Sequence, residues 1–291
     1  MRKFCEKIGF PAEATDYYCE LEAKLLSDPE IRSMMRDARD NFCIEPREDE
    51  TYKEILDAVA EKTQLHPYII YMLHVLLCAK MLRYGYRMRG IDEEIYWDTM
   101  VDIRCKLNEC KKMYGMWGNA SVAWYRGIMQ MRTIKLGRLE YEQRPYPMAD
   151  YRDFVKTGDS VLGMHIPSCG PLTYEDAIDS LKKAYKFYGY TGNMIVSCGT
   201  WMLDPKHVEH VFPKDSNLAR FASLFDIVER EDTPTQYHFW RIFYCDPSTP
   251  VDELPQDTSL QRNFVRYFKE GNIMGVGRGV IVFDGEKIIN H

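Results

Sequence analysis

Five side chains of this 291-residue chain combine a reactive type with a place where a fold can present them: His165, Glu140, Glu142, Cys169 and Cys198. His165 stands near the end of the apolar run Ser160–Ile166, and an imidazole titrates near neutrality, so it leads the candidates for a general base. The simpler reading is a histidine hydrogen-bonded at a strand end. Glu140 and Glu142 alternate with Leu139 and Tyr141, which puts both carboxylates on one face of an extended segment. If that face lines a cleft, they bind or deprotonate an amine; otherwise they are a solvated edge. Cys198 closes the run Asn193–Cys198 ahead of Gly199, a strand end of the kind that meets ligands in open α/β sheets. A thiol there is a nucleophile only if a neighbour makes the thiolate. Otherwise it is a small buried residue. Trp201 offers a ring for stacking against a bound molecule, or else a core aromatic.

These residues depend on the segment from Gly158 to Phe225, which reads as strand, turn, helix, strand, helix. The turn after the first strand runs Pro167-Ser-Cys-Gly-Pro-Leu-Thr173, with Thr173 as the helix N-cap. Backbone N–H groups at such a helix start hold anions, so Ile166, Ser168, Cys169, Gly170, Leu172 and Thr173 are the candidate binding turn. Pro171 lacks an N–H. Glu175 and Asp176 follow in the first helical turn, where they suit an empty positive helix end and repel a phosphate.

Other motifs carry less. Asp204, His207 and His210 resemble metal ligands, since the two histidines lie three apart on a helix, but a third comparable ligand is missing. Helix-surface histidines are expected, and no metal site. Gly275-Val-Gly-Arg-Gly279 precedes the strand Val280–Phe283, so it is neither a P-loop nor a dinucleotide fingerprint. It reads as a tight turn with Arg278 reaching outward. Arg220, Arg262 and Arg278 are phosphate partners or surface ion pairs.

Apolar spacing of three and four predicts helices over Glu13–Leu26, Pro29–Phe42, Thr51–Lys62, Pro67–Met88, Asp92–Met113 and Val122–Met131. Gly90 and Gly115 mark stops. Beyond Arg132 the texture changes, with ten of the fourteen prolines and twelve of the eighteen glycines. Thr133–Tyr141 reads as a strand or hairpin arm; Ser160–Ile166, Asn193–Cys198, Tyr237–Tyr244 and Val280–Phe283 read as strands, the third of these apolar on both faces and therefore central. Helices Thr173–Tyr188, Pro205–Leu224 and Ser259–Lys269 lie between. The expected organisation is α+β: an all-α domain, residues 1–132, then a mixed β-sheet domain flanked by helices, residues 133–291.

A net charge of −6 with pI near 5.7 argues against nucleic acid or an anionic membrane as the main partner. The most apolar segment, Tyr68–Leu82, holds His74 and Lys80 and is too short to span a bilayer. Nine cysteines without a CxxC pair point to a reducing compartment, hence a cytoplasmic protein.

Six phrases in order, Gly137-Arg-Leu-Glu-Tyr-Glu142, Gly158-Asp-Ser-Val-Leu-Gly-Met-His-Ile-Pro167, Gly170-Pro-Leu-Thr173, Trp201-Met-Leu-Asp-Pro205, Asp215-Ser-Asn217 and Leu260-Gln-Arg262, resemble a bacterial family of acyltransferase domain-containing proteins. The resemblance covers residues 97–291 well. It implies a helical N-terminal domain before a domain similar to GNAT-type N-acetyltransferases, with acetyl-CoA or another acyl-CoA as co-substrate and a small-molecule or peptide amine as acceptor. In such enzymes a turn of the form Arg/Gln-x-x-Gly-x-Gly/Ala holds the pyrophosphate, and a splay between neighbouring strands admits the pantetheine arm. The turn Pro167–Thr173 departs from that form. Direct transfer with His165 or Glu140 as base is the leading expectation; a degenerate GNAT-like domain that binds a metabolite or protein is the rival, and a thiol mechanism through Cys169 or Cys198 is third.

Overall fold

The computed structural model describes residues 1–44, 50–233 and 238–290. The chain forms two compact units, Met1–Lys135 with Pro167–Cys169, and Leu136–Ile166 with Gly170–His291. No helix among the described residues is long and apolar enough to cross a membrane.

The first unit holds helices α1 (Arg2–Lys7), α2 (Ala12–Leu25), α3 (Pro29–Cys43), α4 (Thr51–Thr63), α5 (Pro67–Met88), α6 (Glu93–Tyr114) and α7 (Tyr125–Met129). Helix α1 was beyond the reach of periodicity because so short a run spans less than two turns. Local chemistry sets the other ends. Asp28 accepts from the Glu30 N–H at 2.8 Å with Pro29 at the first helical position. His66 Nδ1 accepts from the Tyr68 N–H at 3.2 Å ahead of Pro67 in the same way. Gly115 stops α6 at φ +70°, a conformation that costs glycine little. Helix α5 buries Ile70, Met72, Leu73, Val75 and Leu76 together with His74, so it is the centre of this unit. His74 is fully buried, its ring 4.9 Å from that of Phe42 and its Nε2 3.6 Å from Cys78 Sγ. Burial, with a smaller push from Arg39, lowers its pKa to about 3, which keeps the helix centre uncharged.

The second unit is built on a sheet. Strands β1 (Thr133–Leu136, of which Leu136 alone falls in the second unit), β2 (Leu139–Pro145), β3 (Ser160–His165), β4 (Met194–Thr200), β5 (Asp226–Asp232) and β6 (Gly275–Phe283) lie in the order β1-β2-β3-β4-β6-β5. β3 and β4 pair in parallel, whereas β2–β3, β4–β6 and β6–β5 are antiparallel. Helix α8 (Tyr174–Phe187) joins β3 to β4. Helices α9 (Pro205–His210) and α10 (Asn217–Ala222) follow β4, and α11 (Trp240–Phe243) and α12 (Ser259–Lys269) lie between β5 and β6.

Three expectations need correction, and one strand is added. The strand over Tyr237–Tyr244 is absent: Tyr237 lies outside the described residues, and α11 carries Ile242 and Phe243 with Phe239 into a core cluster containing Phe264 and Phe268. A short run apolar on all sides fits a buried helix as well as a central strand. Pro205–Leu224 is two helices, because Pro213 interrupts the ladder and Ser216 caps the second. Gly275–Gly279 is no turn but the first half of β6, paired with β5 along its length and with β4 from Gly277 onward. Its glycines recur at period two and clear one face of the strand. A Cβ at Gly277 would sit on the Leu203 carbonyl, and one at Gly275 on the carboxylate of Asp204. Strand β5, finally, escaped notice because Glu229, Glu231 and Asp232 give it the polarity of a loop.

Two outcomes follow. Unfolded His74 takes up a proton near pH 6.5, while the folded residue resists until about pH 3. Unfolding free energy is therefore expected to hold above the upper value and to fall below it by up to about 1.4 kcal/mol per pH unit through this residue. Denaturant titrations at pH 7 and pH 5 should show that slope shrinking in His74→Met; equal slopes in both proteins would refute it. Gly277→Ala, which meets backbone rather than a mobile side chain, should cost about 3 kcal/mol in the same assay, and a loss below ~0.5 kcal/mol would contradict the β6 packing.

Candidate active site

The parallel ladder between β3 and β4 consists of Leu162↔Val196 and Gly163↔Ser197 and goes no further toward the carboxyl ends. Beyond it lies a cleft of about 290 Å³. Met164 and His165 line it from β3, Cys198 and Gly199 from β4, Arg144 from β2, Pro147 and Met148 from the chain after β2, and Arg278 from β6.

The register explains why these side chains meet. Glu142 lies opposite Gly163, and Arg144 opposite Val161, so both share a face with His165. Gly163 and Ser197, and Gly199 and Arg278, are partners across the next two ladders on that face. A Cβ at Gly163 would strike the Arg144 guanidinium, and a Cβ at Gly199 would come within 3.3 Å of Arg278 Cγ. The two glycines thus let two arginine side chains lie across the sheet at the cleft. Arg144 Nη2 donates to Ser197 Oγ at 3.1 Å, and its Nε–H is buried with no hydrogen-bond partner among the described residues. Arg278 is balanced by Glu231 at 2.5 Å and Glu229 at 3.7 Å.

His165 Nε2 is 3.0 Å from Glu142 Oε1, and both side chains are 24% exposed. Arg144 Nη1 stands 3.9 Å from the same oxygen. The arrangement is an imidazole oriented by a carboxylate, at the edge of a cleft, with guanidinium groups alongside. It can take a proton from an incoming nucleophile and stabilise developing negative charge. Glu140 pairs with His165 in register, yet it is fully buried and does not line the cleft; Glu142 is the carboxylate that meets the imidazole.

The remaining candidates fall elsewhere. Burial pushes the Cys198 thiol up to about 12, against a smaller opposing pull from Arg144, so little of it is thiolate near neutral pH. Trp201 is buried at 4% exposure against Phe212 and Phe264, a core residue rather than a surface for substrate. His207 is no surface histidine: Nδ1 donates to the Trp201 carbonyl at 2.8 Å and Nε2 receives the Gly275 N–H at 3.4 Å. Asp204, wholly buried, holds Arg230 through two bonds of 3.1 and 3.2 Å. Arg220 pairs with Glu175 at 2.7 Å, and Arg262 donates to the Gln256 and Asp257 carbonyls.

In the turn after β3, Ile166 is half-buried and Leu172 buried. The carbonyls of Gly170 and Pro171 accept from Arg138 Nη2 at 2.7 Å and Nε at 2.8 Å. Thr173 caps α8, its Oγ1 accepting from the Asp176 N–H at 3.1 Å. Ser168 donates to Glu109 at 2.5 Å, and Cys169 Sγ lies 2.8 Å from Cys105 Sγ within the helical unit. None of these turn residues lines the cleft. Arg144 is the site residue that sequence reasoning missed; its signal was Gly163 one strand away, legible only once the register is known.

The family profile described as a GNAT-like C-terminal domain matches residues 133–281, and the one described as an N-acyltransferase N-terminal domain matches residues 1–131. The chain belongs to the family that joins these two domains. No curated protein matches the sequence. Among solved structures, an acyltransferase in complex with decanoyl-CoA superposes with a TM-score of 0.73 at 21% identity, over 96% of this chain and 86% of that one. A mutant acyltransferase with octanoyl-CoA gives 0.74 at 21% identity with the same coverage. An acyltransferase in complex with decanoyl-CoA and teicoplanin gives 0.63 at 20% identity, over 96% of this chain and 98% of that one. At such identities the likeness is one of fold.

Cys198 supplies a direct check. With its thiol near 12, only about one part in 10⁵ is thiolate at pH 7, so brief alkylation of the native protein should leave it unmodified by peptide mass mapping. Modification as fast as in the unfolded chain would show the thiolate to be available and contradict that value.

Proposed function

We propose that this protein is an acyl-CoA-dependent acyltransferase that passes the acyl group directly to an amine, with His165 as base and Glu142 as its orienting partner. The observation that carries the reading is the cleft where β3 and β4 part company, with the His165–Glu142 pair at 3.0 Å on its edge. An amine arrives largely as ammonium and must lose a proton before it attacks a thioester. Glu142 fixes the imidazole and stabilises the imidazolium that results. Arg144, whose Nε–H lacks a partner among the described residues, and Arg278 offer positive charge to the oxyanion and to the departing thiolate.

The structures with acyl-CoA support that donor class, and the one with teicoplanin supports an acceptor that is a small-molecule or peptide amine. The backbone after β3, from Ile166 through Gly170 and Leu172 to Thr173, is the proposed contact for CoA. Ser168 and Cys169 would contribute main chain only, since their side chains already have partners. Arg138 draws the Pro171 carbonyl toward itself, and in a trans peptide this turns the Leu172 N–H the opposite way. Nine cysteines with no disulfide among the described residues fit work in a reducing, cytoplasmic compartment.

One observation favours the rival, a ligand-binding module without turnover. The start of α8 is already served by Thr173, Asp176 and Glu175, as an empty helix end would be. Both readings are separated by one experiment. Purified protein is titrated with acetyl-, octanoyl- and decanoyl-CoA, and CoA thiol release is followed with primary amines and amine-bearing peptides. His165→Ala and Glu142→Gln are expected to lower kcat by about 10²–10⁴ while acyl-CoA affinity stays within a few-fold. Binding without turnover in wild type would select the module, and no binding of any acyl-CoA at millimolar concentration would sink the transferase reading.

A further inference from the structure

A second constellation lies in the helical unit, apart from the cleft. Asp102 and Cys105 stand one turn apart on α6, and Cys169 approaches them, so that one carboxylate oxygen and two sulfurs all lie within 4.8 Å of one another. We infer that Asp102, Cys105 and Cys169 bind a single thiophilic divalent cation of the zinc class.

The donor set is chemically apt. Zinc takes thiolate and carboxylate ligands, and three protein ligands with water in the fourth position are a familiar arrangement. Cys105 is buried and Cys169 half-buried, which leaves one side of the cluster for entry and for that water. The two sulfurs are 2.8 Å apart. On one zinc, with bonds of about 2.3 Å, they would stand roughly 3.8 Å apart, an opening of about 1 Å that a small side-chain rotation supplies.

An independent observation points to a ligand. Asp102 is 1% exposed, and while Oδ2 accepts from the Trp124 Nε1–H at 3.0 Å, Oδ1 is buried with no hydrogen-bond partner among the described residues. A buried carboxylate oxygen left alone is costly, and a cation satisfies it. The Trp124 bond orients the carboxylate as second partners do in metal sites. Ser168, bonded to Glu109, fixes the residue beside Cys169. Binding would replace the two thiol protons, giving two thiolates and one carboxylate on a dication.

The test uses the full chain, reduced and stripped of metal by a chelator, then titrated with Co²⁺ and Zn²⁺. One Co²⁺ per chain is expected, with sulfur-to-cobalt charge-transfer absorption that Zn²⁺ abolishes. Cys169→Ser and Asp102→Asn should each weaken Co²⁺ binding by about tenfold or more, while Cys245→Ser, outside the cluster, should not. Circular dichroism checks each fold; if Asp102→Asn fails to fold, Cys169→Ser on its exposed side decides alone. Less than one equivalent bound, wild-type affinity in Cys169→Ser, or an intact mass showing a resting Cys105–Cys169 disulfide that refuses metal would overturn the site.

Discussion

The parallel ladder between β3 and β4 is two residue pairs long, and the rest of the sheet prevents it from growing. On its far edge β4 is held by β6 from Met194↔Phe283 to Thr200↔Gly277. On its own far edge β3 is held by β2 from Glu140↔His165 to Pro145↔Ser160. Each strand follows its longer antiparallel partner, and the sheet's twist carries the two directions apart. The cleft is what remains between them. Position along the strands then decides role: Gly163 and Ser197 still pair, while His165, Cys198 and Gly199, a step further, line open space.

Within that space, exposure decides which reactive types are usable. Cys198 on β4 and Glu140 on β2 are reactive types as well, but burial holds the first as a thiol and encloses the second. His165 and Glu142, each a quarter exposed, keep contact with solvent and with each other. The glycines opposite the arginines serve the same end, since removing two side chains lets two guanidinium groups reach the cleft without opening the sheet. Positive charge is gathered where no helix end supplies it.

Much of this was legible beforehand, and the failures have physical causes. Long helices announced themselves through caps and stops: Asp28-Pro29, His66-Pro67, Gly115. The strand–turn–helix–strand order from Ser160 to Cys198 was readable because each element is bounded by proline, glycine or a good N-cap. His165 was readable as a histidine at a strand end. Its pairing with Glu142 rather than Glu140 was not, because alternation places both carboxylates on one face and only the register says which is opposite what. His207 was misjudged as a surface residue, and the choice between the two readings of Trp201 stayed open, for a related reason: burial of a side chain following a strand depends on α12, far away in sequence. Gly275–Gly279 deceived because local sequence cannot distinguish a glycine that permits a turn from one that permits another backbone to approach.

That glycine-cleared face of β6 has a bearing on how the chain reaches its fold. Glycine gives up more conformational freedom on ordering than any other residue, so β6 has little tendency to extend by itself and must be templated from both sides. Strand β5 touches the sheet through β6 alone, and β4 keeps a bare edge until β6 arrives. During synthesis, residues 194–200 and 226–232 are therefore made well before the segment that unites them. A nascent polypeptide halted short of residue 275 would display two unsatisfied strand edges, the condition under which β proteins pair with the wrong neighbour.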